Sequence, residues 1–264
     1  MQIQTYTLFN AFGIPVRANL SVALLALYLL WVFGWSAGLY VVSVLLISIV
    51  LHELAHSVVA VAFGGKVRDI TLQLLGGCAA ITRMPAKPWQ ECLMAAAGPA
   101  CSFVLAALAF GAALLASSSQ TVSDPYGAPL SISVVPNEWL MLAAMLNVGL
   151  GIFNLLPAFP MDGGRILRSL LQTVGRLTKV RATEIAVGVG KAFALLWGVV
   201  SLLSLFFDTQ IPMPANLPDP LAFLWDLIFG SGGVLLLCIA VMIWTAGRRE
   251  LEFVRAEAYY GGQR

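Results

Sequence analysis

Charge is scarce in this chain. Only 11% of its 264 residues are Asp, Glu, Lys or Arg, whereas a soluble domain carries about 25%. Cysteine is scarce too. Cys78, Cys92, Cys101 and Cys238 show no C-x-x-C spacing, which excludes a zinc finger, a thioredoxin-type redox motif or a dense disulfide framework. Their ordinary role is that of small apolar packing residues. No basic run or basic–aromatic stripe occurs, so nothing points to nucleic acid. No 20–50-residue repeat or low-complexity linker divides the chain, and a single domain spanning 1–264 is expected. Met1-Gln-Ile-Gln-Thr-Tyr lacks a basic region leading to a cleavage site, so no removable signal peptide is expected.

Long apolar runs take the place of what is missing. The chain is 59% hydrophobic, with a mean hydropathy of +0.88. A polytopic, all-α membrane protein is the fold class these values predict. About six spans of about 20 residues fit the length. They fall near 18–36, 39–62, 91–117, 138–160, 185–207 and 227–247. With six spans, all 15 Lys and Arg lie on one side or at that side's edge. The opposite loops, near 118–137 and 208–226, contain neither and carry Asp124, Asp208, Asp219 and Asp226. By the positive-inside rule, both termini are expected in the cytoplasm.

Between the second and third spans the pattern changes. Residues 64–75 partly alternate polar and apolar side chains, as a strand does, and Gly76-Gly77 supplies a turn. Cys78 to Met84 returns as a second strand. A small membrane-associated β-hairpin or sheet is expected there. Its ordinary role is a connection; an edge strand there would also be a template for an extended peptide.

Histidine occurs only twice, at His52 and His56, with Glu53 between them. A helix places residues four apart on one face, so both imidazoles can meet one Zn²⁺ with Glu53 beside them as general base. The three lie some 6–12 residues before the end of the second span, roughly 10–15 Å below the cytoplasmic edge. Polar groups at that depth are costly, which favours a functional role. A catalytic zinc needs a third protein ligand. Asp162 is the best candidate, because it follows the fourth span and ends near the depth of the histidines. Pro157 and Pro160 break that span, and Gly163-Gly164 permits a sharp turn. Asp162 could instead cap the helix that begins there. Asn154 could bond a neighbouring helix, or hold substrate or an oxyanion. Asn147, one face-repeat earlier, fits the helix-bonding role.

His52-Glu53-Leu54-Ala55-His56 and Asn154-Leu155-Leu156-Pro157-Ala158-Phe159-Pro160-Met161-Asp162-Gly163-Gly164-Arg165 resemble the two signature motifs of the site-2 protease family of intramembrane zinc metalloproteases. Phe12-Gly13-Ile14-Pro15-Val16-Arg17, Phe63 through Gly77, Arg83-Met84-Pro85 and Ala97-Gly98-Pro99 look like its prokaryotic branch. The resemblance spans about residues 8–170. It implies one zinc per chain, held by His52, His56 and Asp162, with Glu53 activating its water. It implies substrate contacts at Asn154 and Pro160, and along the strands at Leu72, Leu74, Gly76 and Gly77. Pairing with the substrate backbone is expected near residues 70–75. Single-span membrane proteins in the lipid bilayer are the implied substrates, cut from the cytoplasmic side of a prokaryotic cell membrane. Ser102 stands where the family often has Asn, which implies a weaker polar role there. Many relatives add a pair of nucleotide-sensing CBS domains after the last span; none is expected within these residues. A membrane metal transporter and a catalytically silent binding protein are the rival classes. The first would need further ionisable groups within the spans, and the second would have no use for Glu53.

Overall fold

A computed structural model describes residues 5–11, 13–73, 76–83, 87–123, 129–135, 137–207 and 234–261. Among the described residues six helices dominate: α1 (Leu20–Ala62), α2 (Pro88–Leu115), α3 (Glu138–Asn154), α4 (Asp162–Thr173), α5 (Lys179–Phe207) and α6 (Val234–Gly261). Three of them, α1, α2 and α5, are long and apolar enough to cross a membrane. The 17-residue α3 is apolar but shorter.

The expected first and second spans are two limbs of α1. Gly34 breaks the helix with φ 76° and ψ 174°, a conformation that suits glycine. The limbs fold back on each other. Leu29 of the first packs with Val41 of the second, and Val22 with Ile49. Gly38 makes the tight return possible, since a Cβ there would stand 2.7 Å from the Leu30 Cα.

Four strands form one sheet in the order β1 (Thr5–Ala11), β2 (Ile14–Asn19), β3 (Lys66–Gln73) and β4 (Gly76–Arg83). The expected hairpin is β3–β4; the β1–β2 hairpin was not expected. Thr5-Tyr-Thr-Leu-Phe is short and strand-prone, and it was the available signal. β2 runs parallel to β3, pairing Val16 with Ile70 and Ala18 with Leu72. The other two pairings are antiparallel. Substrate pairing along residues 70–75 is therefore corrected. Ile70–Leu72 already bond β2 on one side and β4 on the other, and Leu74 and Leu75 lie outside the described residues. Among the described strands, the unpaired edge beside Glu53 belongs to β4.

Val16, Ile70 and Leu72 fill the interface between the sheet and the second limb of α1, against Ile49. Buried Asp69 accepts from Arg17 of β2 at 3.2 Å and from neighbouring Arg68 at 3.1 Å, so an ion pair also joins β2 to β3. A second hairpin, β5 (Ser118–Ser123) with β6 (Pro129–Val135), occupies the loop that the hydropathy pattern left without structure.

The fourth span ends earlier than expected. α3 stops at Asn154, and residues 155–161 form a compact loop leading into α4. This loop is the break that Pro157 and Pro160 impose. Its closeness depends on Gly163, where a Cβ would stand 2.2 Å from the Leu155 carbonyl oxygen. Of the expected sixth span, 234–247 lie in α6, which continues to Gly261; 227–233 lie outside the described residues.

Candidate metal centre

Two chain segments meet at one point. The second limb of α1 brings His52 and His56, and the first turn of α4 brings Asp162. All three side chains are buried. His52 Nε2 and His56 Nε2 each lie 3.1 Å from Asp162 Oδ2 and 3.2 Å from each other. Three donors at tetrahedral positions around zinc, each about 2.05 Å from it, would be about 3.3 Å apart. The triangle is therefore close to the size this ion requires, and the two-imidazole, one-carboxylate set is a catalytic zinc donor set. Among the described residues this is the cluster able to hold a metal.

The outer nitrogens explain why the inner ones converge. His56 Nδ1–H donates to the Met94 carbonyl at 2.7 Å, which leaves the Nε2 lone pair facing inward. His52 Nδ1 lies 2.9 Å from Ser102 Oγ, and donating there orients its ring in the same sense. Both partners sit on α2. Ser102 thus fills the supporting place that the resemblance implied was weak: it is fully buried and touches a ligand.

α2 also supplies clearance. A Cβ at Gly98 would stand 2.2 Å from His56 Nε2 and 2.5 Å from His52 Nε2. Only glycine lets this helix lie so close to the donor atoms. Neighbouring Pro99 removes one backbone donor from the helix at the same level. The Gly98-Pro99 pair was visible in the sequence, but not which atoms it makes room for.

A buried ion network braces the ligand-bearing elements. Arg168 of α4 is 2% exposed and donates to Glu91 of α2 and to Glu250 of α6. Its guanidinium also lies over the Phe159 ring, 5.2 Å from the centroid. Burial alone would favour the neutral form, but the two carboxylates outweigh it and hold the Arg168 pKa above its ordinary value. α4, which carries Asp162, is thereby tied to α2, which carries Ser102, Met94 and Gly98. Nothing in the local sequence pattern pointed to Arg168.

The triad opens onto a cavity of about 430 Å³. Glu53, Asn154, Pro160 and Gly77 line it, as the sequence reading expected of site residues. Glu53 lies hard against the edge strand: a Cβ at Gly77 would stand 2.4 Å from its Cγ and 3.0 Å from its Oε1. Asn154 Nδ2 donates to the Leu150 carbonyl of its own helix at 2.9 Å. Asn147 does the same to Ala143 and is buried. Leu72 is not on the cavity. Its side chain is 2% exposed and belongs to the core between sheet and α1. Gly76 opens β4 opposite Gln73, beside the cavity-lining residues. Leu74 lies outside the described residues.

A solved structure of a site-2 protease from Methanocaldococcus jannaschii shares the fold, with a TM-score of 0.61 and 27% identity over 94% of this chain and 95% of that one. A zinc metalloprotease of the same organism is 36% identical over 206 residues, covering 75% of this chain and 54% of the relative. The stage IV sporulation protein FB of Bacillus subtilis is 27% identical over 155 residues, covering 58% and 47%. The chain thus spans about half the length of the curated relatives it matches. The model of peptidase family M50 matches residues 40–197, which include all three candidate ligands and Glu53. The chain belongs to peptidase family M50.

Proposed function

We propose that this chain is an intramembrane zinc endopeptidase that hydrolyses peptide bonds within or near the transmembrane segments of single-span membrane proteins. The observation that carries this reading is the tetrahedron-sized triangle of Nε2, Nε2 and Oδ2 atoms opening onto a cavity that Glu53 also lines.

His52, His56 and Asp162 hold one zinc per chain. When bound, the ion supplies Lewis acidity to the scissile carbonyl and acidifies water. Glu53 takes the proton of the attacking water on a carboxylate oxygen and delivers it to the nitrogen of the departing amine. The C–N bond and one O–H bond of water break, a C–O bond and an N–H bond form, and Glu53 ends as it began. Helical substrate hides its carbonyls in hydrogen bonds, so it must unwind first. The unpaired edge of β4 offers its backbone N–H and C=O groups to the unwound segment. Gly77 keeps that edge next to Glu53. Asn154 and Pro160, which also line the cavity, contact the substrate.

The enzyme works as a single domain with its core in residues 8–170. Six spans, counting the two limbs of α1, α2, α3, α5 and α6, set it in the inner membrane of a prokaryotic cell. The segregation of Lys and Arg supports cytoplasmic termini and a site towards the cytoplasm.

The test is membrane proteomics on cells carrying the wild-type chain or Glu53→Gln. Single-span proteins should accumulate uncut with Glu53→Gln. If no membrane protein differs between the two strains, and purified wild-type chain with a full zinc complement cuts no transmembrane peptide, the reading fails.

A further inference from the structure

The arginines of α4, α5 and α6 divide into two groups. Arg168 pairs with Glu91 and Glu250, Arg181 and Arg255 pair with Glu184, and Arg248 pairs with Glu252. Arg165 and Arg249 have no carboxylate partner among the described residues, and these are the two that line the metal-site cavity. Arg165 stands three residues past Asp162 on α4. Arg249 comes from α6, next to the Glu250 that anchors Arg168. Two different helices therefore present guanidiniums to one cavity, while nearby arginines are neutralised.

Charge accounting within the cavity points the same way. Its ionisable lining consists of His52, His56, Glu53, Asp162 and these two arginines. A divalent ion on the triad is balanced by Asp162 and Glu53. The two guanidiniums are then the uncompensated charge of the cavity. Guanidinium is a planar fork of donors that matches a carboxylate. An anion is the group such a lining binds best, and a substrate segment threading past Glu53 must pass it.

We infer that Arg165 and Arg249 form a specificity subsite for an acidic side chain of the substrate, close in sequence to the bond that is cut. The subsite selects polypeptides with Asp or Glu at the end of the membrane-spanning segment and adds no catalytic group. It rests on the proteolytic reading for its occupant, but its test reads binding rather than cleavage.

The experiment uses the full chain as Glu53→Gln, loaded with zinc, in nanodiscs of phosphatidylcholine. The probes are fluorescein-labelled single-span peptides, in pairs identical except for Glu or Gln within four residues of the end of the apolar segment, on either flank. The Glu peptide of one pair should bind about tenfold more tightly. The preference should fall to within about twofold when Arg165→Gln and Arg249→Gln are added. Arg249→Gln alone, on α6 and not on the segment that carries Asp162, should remove part of it. Zinc content, measured in each variant, should not change. Equal binding of Glu and Gln peptides on both flanks, or binding of neither, overturns the inference. So does a preference that survives both substitutions. The same discs doped with phosphatidylglycerol test the lipid alternative: if native mass spectrometry shows anionic lipid retained by the arginines while the peptides bind equally, the arginines serve headgroups and the subsite is refuted. A Glu preference that depends on the two arginines, with zinc-loaded wild-type chain cleaving none of the same peptides, would sink the protease reading and leave the subsite standing.

Discussion

The metal end of the fold and the α5–α6 pair are held together by opposite means. At the metal end, α1, α2 and α4 meet through buried polar groups: two imidazoles, a carboxylate, a serine hydroxyl, a backbone carbonyl and a three-membered ion network. The inner parts of α5 and α6 meet through Ala194, Ile239, Ala240 and Ile243, with carboxylate pairs only where they extend beyond the apolar stretch. Polar contacts have direction and fail when one partner is removed. Apolar contacts lose stability in proportion to the volume removed. The metal end is therefore over-determined in position, and the helix pair is adjustable.

Substitutions that break this contrast can be ranked. Glu53→Gln should lower peptide cleavage by roughly 10²–10⁴-fold and leave zinc content unchanged by elemental analysis. Gly98→Ala places a methyl at 2.2 Å from a donor nitrogen, so zinc content should fall towards zero while circular dichroism stays helical. Arg168→Met strands two carboxylates and should cost about 3–5 kcal/mol of stability in a denaturation series. Ser102→Ala removes the partner of His52 Nδ1 and should weaken zinc binding by about 10–100-fold in a chelator competition. Ile243→Val, in the apolar pair, should cost only about 1 kcal/mol and leave zinc affinity untouched. A Ser102→Ala chain with unaltered zinc affinity would blur the distinction, because the polar contact would then carry no directional information.

The sequence made the ligands legible because their signal is local. His52, Glu53 and His56 share one helical face, and Asp162 follows a proline-broken span. What could not be read depends on contacts distant along the chain. Ser102 meets His52 across 50 positions, and Arg168 meets Glu250 across 82. The β3–β4 hairpin was visible in its alternation and its Gly76-Gly77 turn. That β3 is an inner strand was not, because this depends on β2, some fifty residues earlier, lying parallel to it. Leu72 was misplaced for the same reason: in isolation its position reads as an edge, whereas the neighbouring strand and α1 make it core. The Gly34 break falls inside the expected first span, three residues before the expected gap at 37–38, and only its φ shows how the reversal starts.

The free edge of β4 has a numerical consequence. Backbone groups on a strand point to the same side at every second residue, and successive residues advance by about 3.3 Å. A peptide paired to that edge is indexed like a toothed rack, with stable seats about 6.6 Å apart. Any slippage between seats moves the severed bond by two residues at a time. Mass spectra of the fragments should then show secondary termini offset by even numbers.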